Sequence, residues 1–494
     1  MATQRSKQSE STPHRSKGRP DQFKRTDAGN AELFAAIYRD HLRFDHSRQR
    51  WLLYDTHYWR SDVDGSLMRL AKQAVRLRLH HSSGISDDEK RREEAKWALK
   101  SEFLARLEAM VQLAKSEKPI ADDGSKWDGN SWLMAVTNGV IDLRTGSLWP
   151  GTPEDRITLH AEIAFDPDAQ CPRWIRFLDE VFGGDAELIS YVWRAIGYSL
   201  TGDTSEQCFF CCCGNGANGK STFLNIISCA LGTYAGNLPF SAFELTARSA
   251  ISNDVATLPG KRFVTAIETD ESARLNEARI KALTGGDILT ARFLYRDYFN
   301  FKPVAKFWLA FNHQPVVADD SHGFWRRPHL IPFDKQFDPR ADAKLEDTLR
   351  SEAAGILAWA VRGCLAWQAQ GLNTPAVVIA ATQVFRSESD PLQDFLEDRC
   401  EFSPRAQVSV AALIEEYVSW ARQTGEHKIL TRTQLARRLK AMGFQKRRHG
   451  HTRAWTWFGI RLKGGIEWPE SAAEPSAPAP AATADMRTCA DVKI

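Results

Sequence analysis

Gly214-Asn215-Gly216-Ala217-Asn218-Gly219-Lys220-Ser221 fits the pattern G-x-x-x-x-G-K-[ST], and its flanks decide how that pattern folds. Before it, Phe209–Cys213 is an apolar run of the length of a buried strand. After it, Phe223, Leu224, Ile227, Ala230 and Leu231 recur at helical spacing, and Gly232 supplies a stop. Strand, glycine loop and helix together predict a P-loop. The three glycines permit positive φ and close backbone approach, so successive N–H groups can turn toward phosphate oxygens. The helix N-terminus from Lys220, Ser221 and Thr222 adds a favourable dipole. Lys220 supplies a point charge for the β/γ-phosphates of ATP, and the Ser221 hydroxyl is a candidate Mg²⁺ ligand.

Outward from the loop, residues 205–340 alternate apolar strands with helical patterns, which predicts an α/β core with a mostly parallel sheet. A second apolar strand, Arg262–Ile267, runs into Glu268, Asp270 and Glu271. Acids at the end of a strand beside the loop stand where Mg²⁺ and an attacking water belong, with Glu268 first in line and Asp270 a further metal candidate. A third strand, Phe307–Phe311, ends in Asn312, an amide suited to positioning water or sensing the γ-phosphate. Arg326 and Arg327 follow, and a planar guanidinium stabilises transition-state charge on a phosphoryl group. Cys211-Cys212-Cys213 has the wrong spacing for paired metal ligation and reads as small strand residues on alternating faces.

Loop, strand-end Glu, strand-end Asn and Arg pair, in that order, resemble helicase superfamily 3. Within it the phage/plasmid primase–helicase family, which includes poxvirus-type primase–helicases, is the match. Leu275–Tyr295, Trp325-Arg326-Arg327 and the stretch Asn138–Gly146 also resemble that family. The resemblance covers about 130–335 closely, and 30–130 and 340–463 loosely. It implies an AAA+-like ATPase core and a homo-hexameric ring with ATP at subunit interfaces. Lys220, Ser221, Glu268 and Asn312 would act within a subunit, and either Arg326 or Arg327 would act from the neighbour. It also implies a hairpin lining the ring channel; its position here is Arg292–Lys302, with Tyr295, Arg296 and Tyr298 near the tip. Arg292, Tyr295 and Arg296 interleave aromatics with cations, which suits base stacking and phosphate contact.

The whole chain has 494 residues, 43% hydrophobic and 26% charged, so it is globular rather than disordered. Sixty-five Lys and Arg against 62 Asp and Glu leave a net charge of +3, too small to name a partner. The distribution says more. Residues 1–28 form a basic, polar tail and 466–494 an Ala/Pro-rich one, both expected to be disordered. Residues 29–130 read as mixed α/β, with strands at Trp51–Tyr54 and His57–Trp59 and a charged helical stretch over Asp87–Lys118. Residues 131–204 read as a family-specific domain ahead of the ATPase, and 341–425 as helical.

Residues 426–465 stand apart. From 428 to 463 there are eleven Lys/Arg and no acid. A capped helix at Thr431–Gly443 and two strands around His449-Gly450 follow an upstream helix at Val408–Ala421, a winged-helix-like order. Such a module places its second helix in the major groove and its wing on phosphates. Arg437, Arg438, Lys440, Lys446, Arg447, Arg448 and Arg453 are its candidate DNA contacts.

The functional expectation is an ATP-dependent DNA helicase of phage, prophage or plasmid replication, binding single-stranded or forked DNA. The alternative is an ATP-switched initiator, loader or regulator without unwinding activity; a packaging or remodelling ATPase moving on duplex is a third. Primer synthesis would need a metal-binding carboxylate set, and Asp62-Val63-Asp64 is the one suggestive N-terminal pair and a weak one, so primase activity is expected either to be absent or to belong to a separate primase or polymerase partner. No run of 18 apolar residues and no apolar signal core occur, and nine cysteines are no disulfide framework. The expected compartment is a reducing cytosol, by resemblance that of a bacterial host.

Overall fold

The computed structural model describes residues 19–464 except 246–252, 269–273, 293–297, 318–320, 339–341, 343, 390, 425–428 and 450–452. Helix α1 (Asp27–Ile37) starts at Thr26, whose hydroxyl accepts the Gly29 N–H at 3.0 Å. Strands β1 (Leu42–Asp45), β2 (Arg50–Asp55) and β3 (Tyr58–Ser61) then fold as a meander. The expected hairpin is the β2–β3 pair, with Tyr54 opposite Trp59. Helices α2 (Ser66–Ser82), α3 (Asp88–Ser101) and α4 (Leu104–Ala114) pack on it, and β4 (Ala121–Asp122) joins β1 in parallel. The charged stretch is thus two helices, parted where Phe103 leaves helical backbone. Arg78, fully buried on α2, pairs with Glu94 and donates to Asn30 Oδ1 at 3.0 Å and Phe23 O at 2.8 Å. Asp64 accepts the Ser66 N–H at 3.0 Å and pairs with Arg69 at 2.8 Å. Its hydrogen bonds thus tie it to the start of α2.

A three-stranded antiparallel sheet follows: β5 (Leu133–Val136), β6 (Gly139–Asp142) and β7 (Ser147–Trp149). Helix α5 (Pro172–Phe182) opens on a proline and ends at Gly183 in the left-handed region. Helix α6 (Ala186–Leu200) is capped by Asp185, which accepts the Leu188 N–H at 3.0 Å.

The centre comprises β8 (Phe209–Cys213), α7 (Lys220–Leu231), β9 (Ala235–Asn237), β10 (Phe263–Ile267) and α8 (Glu277–Gly285). It continues through β11 (Leu289–Ala291), β12 (Phe299–Phe301), β13 (Lys306–Phe311), α9 (His322–Trp325) and β14 (Pro328–Pro332). Helices α10 (Leu345–Ser351), α11 (Ala353–Gln370) and α12 (Ala376–Glu388) come next. Five strands form one parallel sheet in the order β14-β8-β13-β10-β9.

Every residue of β13 is buried, as expected of a strand covered on both faces. On one face Phe210, Cys212 and Trp308 meet α7, α6 and α11; on the other Phe209, Cys211 and Leu309 meet Leu283 of α8 and Phe385 of α12. The cysteines thus alternate faces as strand residues do, and burial pushes the Cys212 thiol up to about 12. Residues of 131–204 share the first of these cores, so they pack as a layer of the central unit where a separate domain was expected. The α6–α11 crossing is tight: a Cβ on Gly197 would come within 2.1 Å of the Cys364 backbone nitrogen.

The C-terminal unit is α13 (Pro391–Arg399), β15 (Cys400–Ser409), α14 (Val410–Gln423), α15 (Arg432–Ala441), β16 (Gln445–Arg448) and β17 (Trp455–Leu462). Its antiparallel sheet runs β15-β17-β16. The strand β15 interrupts the stretch expected to be helical over 341–425. It is recruited across sequence by pairing Val408 with Trp457, a contact no local periodicity reports. With Leu392 and Phe395 of α13 in the same core, the unit begins near residue 391, ahead of the 426 boundary expected.

Candidate functional site

Strand register sets the site. Cys213 lies opposite Phe311, Ile267 opposite Ala310, and Pro332 opposite Cys213. The chain therefore leaves β8, β13, β10 and β14 at one edge, bringing Gly214, Asn312, Glu268 and Phe333 together. The loop between β8 and α7 has Gly214, Gly216 and Gly219 at φ +151°, +81° and +84°, and Ala217 also at positive φ. A Cβ on Gly214 would meet Phe333 O at 2.3 Å, whereas one on Gly216 would meet nothing within 4 Å. Gly214 is thus fixed by packing, and Gly216 fronts open space.

Lys220 opens α7 and is only 6% exposed. Its ammonium donates to Gly214 O and, at 3.0 Å, to Asn312 Oδ1. Burial without a carboxylate partner lowers its pKa. Asn218 is buried and donates from Nδ2 to Phe333 O at 3.0 Å. Its amide nitrogen clamps the loop to the exit of β14; the Phe337 N–H to Ala217 O bond, 2.8 Å, adds a second clamp. No sequence signal marks Phe333, because it acts through a backbone carbonyl. Asn215 and Ser221 are exposed and Thr222 is half-buried at the mouth of the loop.

Glu268 continues β10, its N–H donating to Ala310 O at 2.9 Å. Burial raises its carboxyl pKa, opposed by the N–H groups of His313 and Asn312. Its buried Oε1 has no hydrogen-bond partner among the described residues. Asp270, like Tyr295 and Arg296, lies outside the described residues.

The two arginines part company. Arg327 is 7% exposed, donating to Thr284 Oγ1 at 3.1 Å and to Gly323 O. Arg326 is exposed and donates to Gln207 Oε1. Both precede Pro328, which pairs with Phe209 at the start of β8. They stand at the other edge of the sheet, roughly 13 Å of strand away from the glycine loop at 3.3 Å per residue. Neither arginine therefore lies beside the glycine loop of this chain, so a role at that loop would have to come from another copy, as the resemblance implies.

The expected hairpin is the β11–β12 pair, Leu289 opposite Phe301. Exposed Arg292 lies over the Tyr298 ring at 4.8 Å. In the C-terminal unit Arg437, Lys440, Arg447, Arg448 and Arg453 are exposed, and Arg438 and Lys446 half-buried. Among the described residues no group of three or more His, Cys, Asp or Glu could hold a metal ion, and no helix is long and apolar enough to cross a membrane.

Residues 31–183 match the family described as D5 N terminal like, and 212–327 match a family of unknown function, DUF5906. The first match crosses residue 130, uniting the N-terminal sheet with the meander after it. A "putative helicase" of Acanthamoeba polyphaga mimivirus is 30% identical over 296 residues, 55% of this chain and 31% of that one. A "putative primase" of African swine fever virus is 24% identical over 326 residues, 59% of this chain and 33% of that one. The chain spans about a third of the length of these relatives. The apo NrS-1 C-terminal region is similar at 10% identity and a TM-score of 0.49, over 87% of this chain and 98% of that one. By its family and sequence matches the chain resembles the primase–helicases, as its motifs indicate.

Proposed function

We propose that this chain is an ATP-hydrolysing DNA motor of the superfamily 3 type, a helicase of phage, prophage or plasmid replication with a P-loop core, a winged-helix-like C-terminal module and a hexameric ring. The observation that carries the reading is the Lys220–Asn312 hydrogen bond at the strand-end edge, with Glu268 beside it. A buried ammonium held by two neutral oxygens has charge to give to an anion. The space before Gly216 and the α7 N-terminus suit phosphate, and the orphaned Glu268 Oε1 suits a water or cation.

Lys220 would exchange its Asn312 contact for the β/γ-phosphates, freeing the amide to orient water. Glu268 would hold that water and take its proton. Ser221 and Glu268 would hold Mg²⁺, which would supply charge neutralisation. Arg326, exposed at the far edge, would reach the γ-phosphate of an adjoining subunit, whereas Arg327 holds α8 and α9 to the sheet. The relatives' names, the interleaved hairpin and the acid-free C-terminal stretch favour DNA as the track. ATP-dependent strand displacement on forked DNA, wild type against Lys220→Ala, tests the reading. Unwinding that vanishes in the variant supports it. Hydrolysis without displacement overturns the helicase assignment in favour of an initiator or loader.

A further inference from the structure

The β16–β17 hairpin carries a tryptophan that the core does not use. Lys446 lies opposite Trp457 and Arg448 opposite Trp455, so strand alternation puts all four side chains on one face of the sheet. Trp457 is 1% exposed and shares a core with Leu413 and Tyr417 of α14 and with Leu435 and Leu439 of α15. That face is therefore the helix side. Trp455, one pleat nearer the hairpin's end, overshoots the helices and is 48% exposed. Lys446 Nζ stands 5.1 Å and the Arg448 guanidinium carbon 5.4 Å from its ring centroid. An indole is costly to leave in water, and the flanking cations hold this one in place through its π-face.

We propose that Trp455 is a stacking platform for an unpaired DNA base, with Lys446 and Arg448 taking the adjoining phosphates. The inference rests on the DNA-motor reading and names the form of DNA that the C-terminal module engages. Bases inside a duplex already have both faces covered, so an exposed indole gains a partner only at a single strand, a fork or a terminal pair. A protein partner is the poorer fit, because the ring stands among cations in a stretch with no acid rather than in an apolar patch.

The test uses the full chain without nucleotide, with anisotropy of labelled oligo-dT, and competition by a relaxed closed-circular duplex that has no terminal pair, read across a salt series. Trp455→Ala should weaken oligo-dT binding at least about fivefold, with duplex binding changed by less than about twofold and the salt slope unchanged. Trp455→Phe should recover most of the loss. Arg447→Ala should weaken both ligands and lower the salt slope by about one. Photocrosslinking to 5-iodouracil-substituted oligo-dT should place an adduct on the peptide that contains Trp455. Adducts confined to 289–302, or a Trp455→Ala loss equal on both ligands, would overturn the stacking role. A wild-type chain that binds neither ligand would overturn the DNA-motor reading itself.

Discussion

Lys220 and Arg447 carry the same charge in two different solvents. Lys220 is buried at the strand-end edge of the central sheet, its ammonium donating to Gly214 O and Asn312 Oδ1 and its pKa depressed by lost hydration. Arg447 stands in water on the outer strand of a three-stranded sheet, among other exposed cations. The first kind of site acts by position: low dielectric makes each contact strong, and one misplaced group disables the set. The second acts by summed field, so single groups are replaceable and salt screens them all. The far edge of the central sheet repeats the contrast within itself, with Arg327 wired into packing and Arg326 left outside it.

The largest effect should come from the buried cation. Lys220→Ala should lower kcat/KM for ATP by more than about 1000-fold in a phosphate-release assay; a fall of only a few-fold would break the positional account. Next, Arg326→Ala should cost about 1000-fold in hydrolysis, the scale of an arginine supplied across an interface. Mixing Arg326→Ala with Lys220→Ala subunits should restore part of the activity, since each then supplies what the other lacks. Arg327→Ala should instead lower stability by about 1–3 kcal/mol in urea unfolding, as Thr284 Oγ1 and Gly323 O lose a buried donor.

Smaller still, Arg447→Ala and Arg448→Ala should each reduce the slope of log affinity against log salt by about one, with little change in ATP turnover. The smallest effect concerns Glu268. Its carboxyl pKa is raised in the folded state, so the folded protein favours the protonated form and loses stability as pH rises through that value. Glu268→Gln should therefore raise Tm at neutral pH by on the order of 1–2 °C, and the gain should fade as pH drops below the raised pKa. A gain that grows toward acid would contradict the burial argument.

Much of the site was legible because its chemistry lies in local patterns. The glycine spacing with its flanking strand and helix marked Gly214–Ser221, and an apolar run ending in a polar residue marked Glu268 and Asn312. Where a role passes through backbone or packing, the pattern was silent: Asn218 looked like a phosphate-loop residue, yet its amide nitrogen donates to Phe333 O. Strand β15 was read as helix because its pairing partner lies about 50 residues further on, beyond the reach of local periodicity. The split of 131–204 from the core failed for a related reason, since one hydrophobic cluster draws on both stretches.

By itself the sequence determined the element types of the centre, the glycine loop and the strand-end polar groups, because dihedral preference and alternation of apolar residues act over a few neighbours. Only the tertiary structure decided the sheet order, and with it which edge each polar group occupies. It put Lys220, Asn312 and Glu268 together, sent both arginines to the other edge, and buried one while exposing its neighbour. Those outcomes depend on pairing between segments far apart in the chain, where register and burial, not local preference, set the free energy.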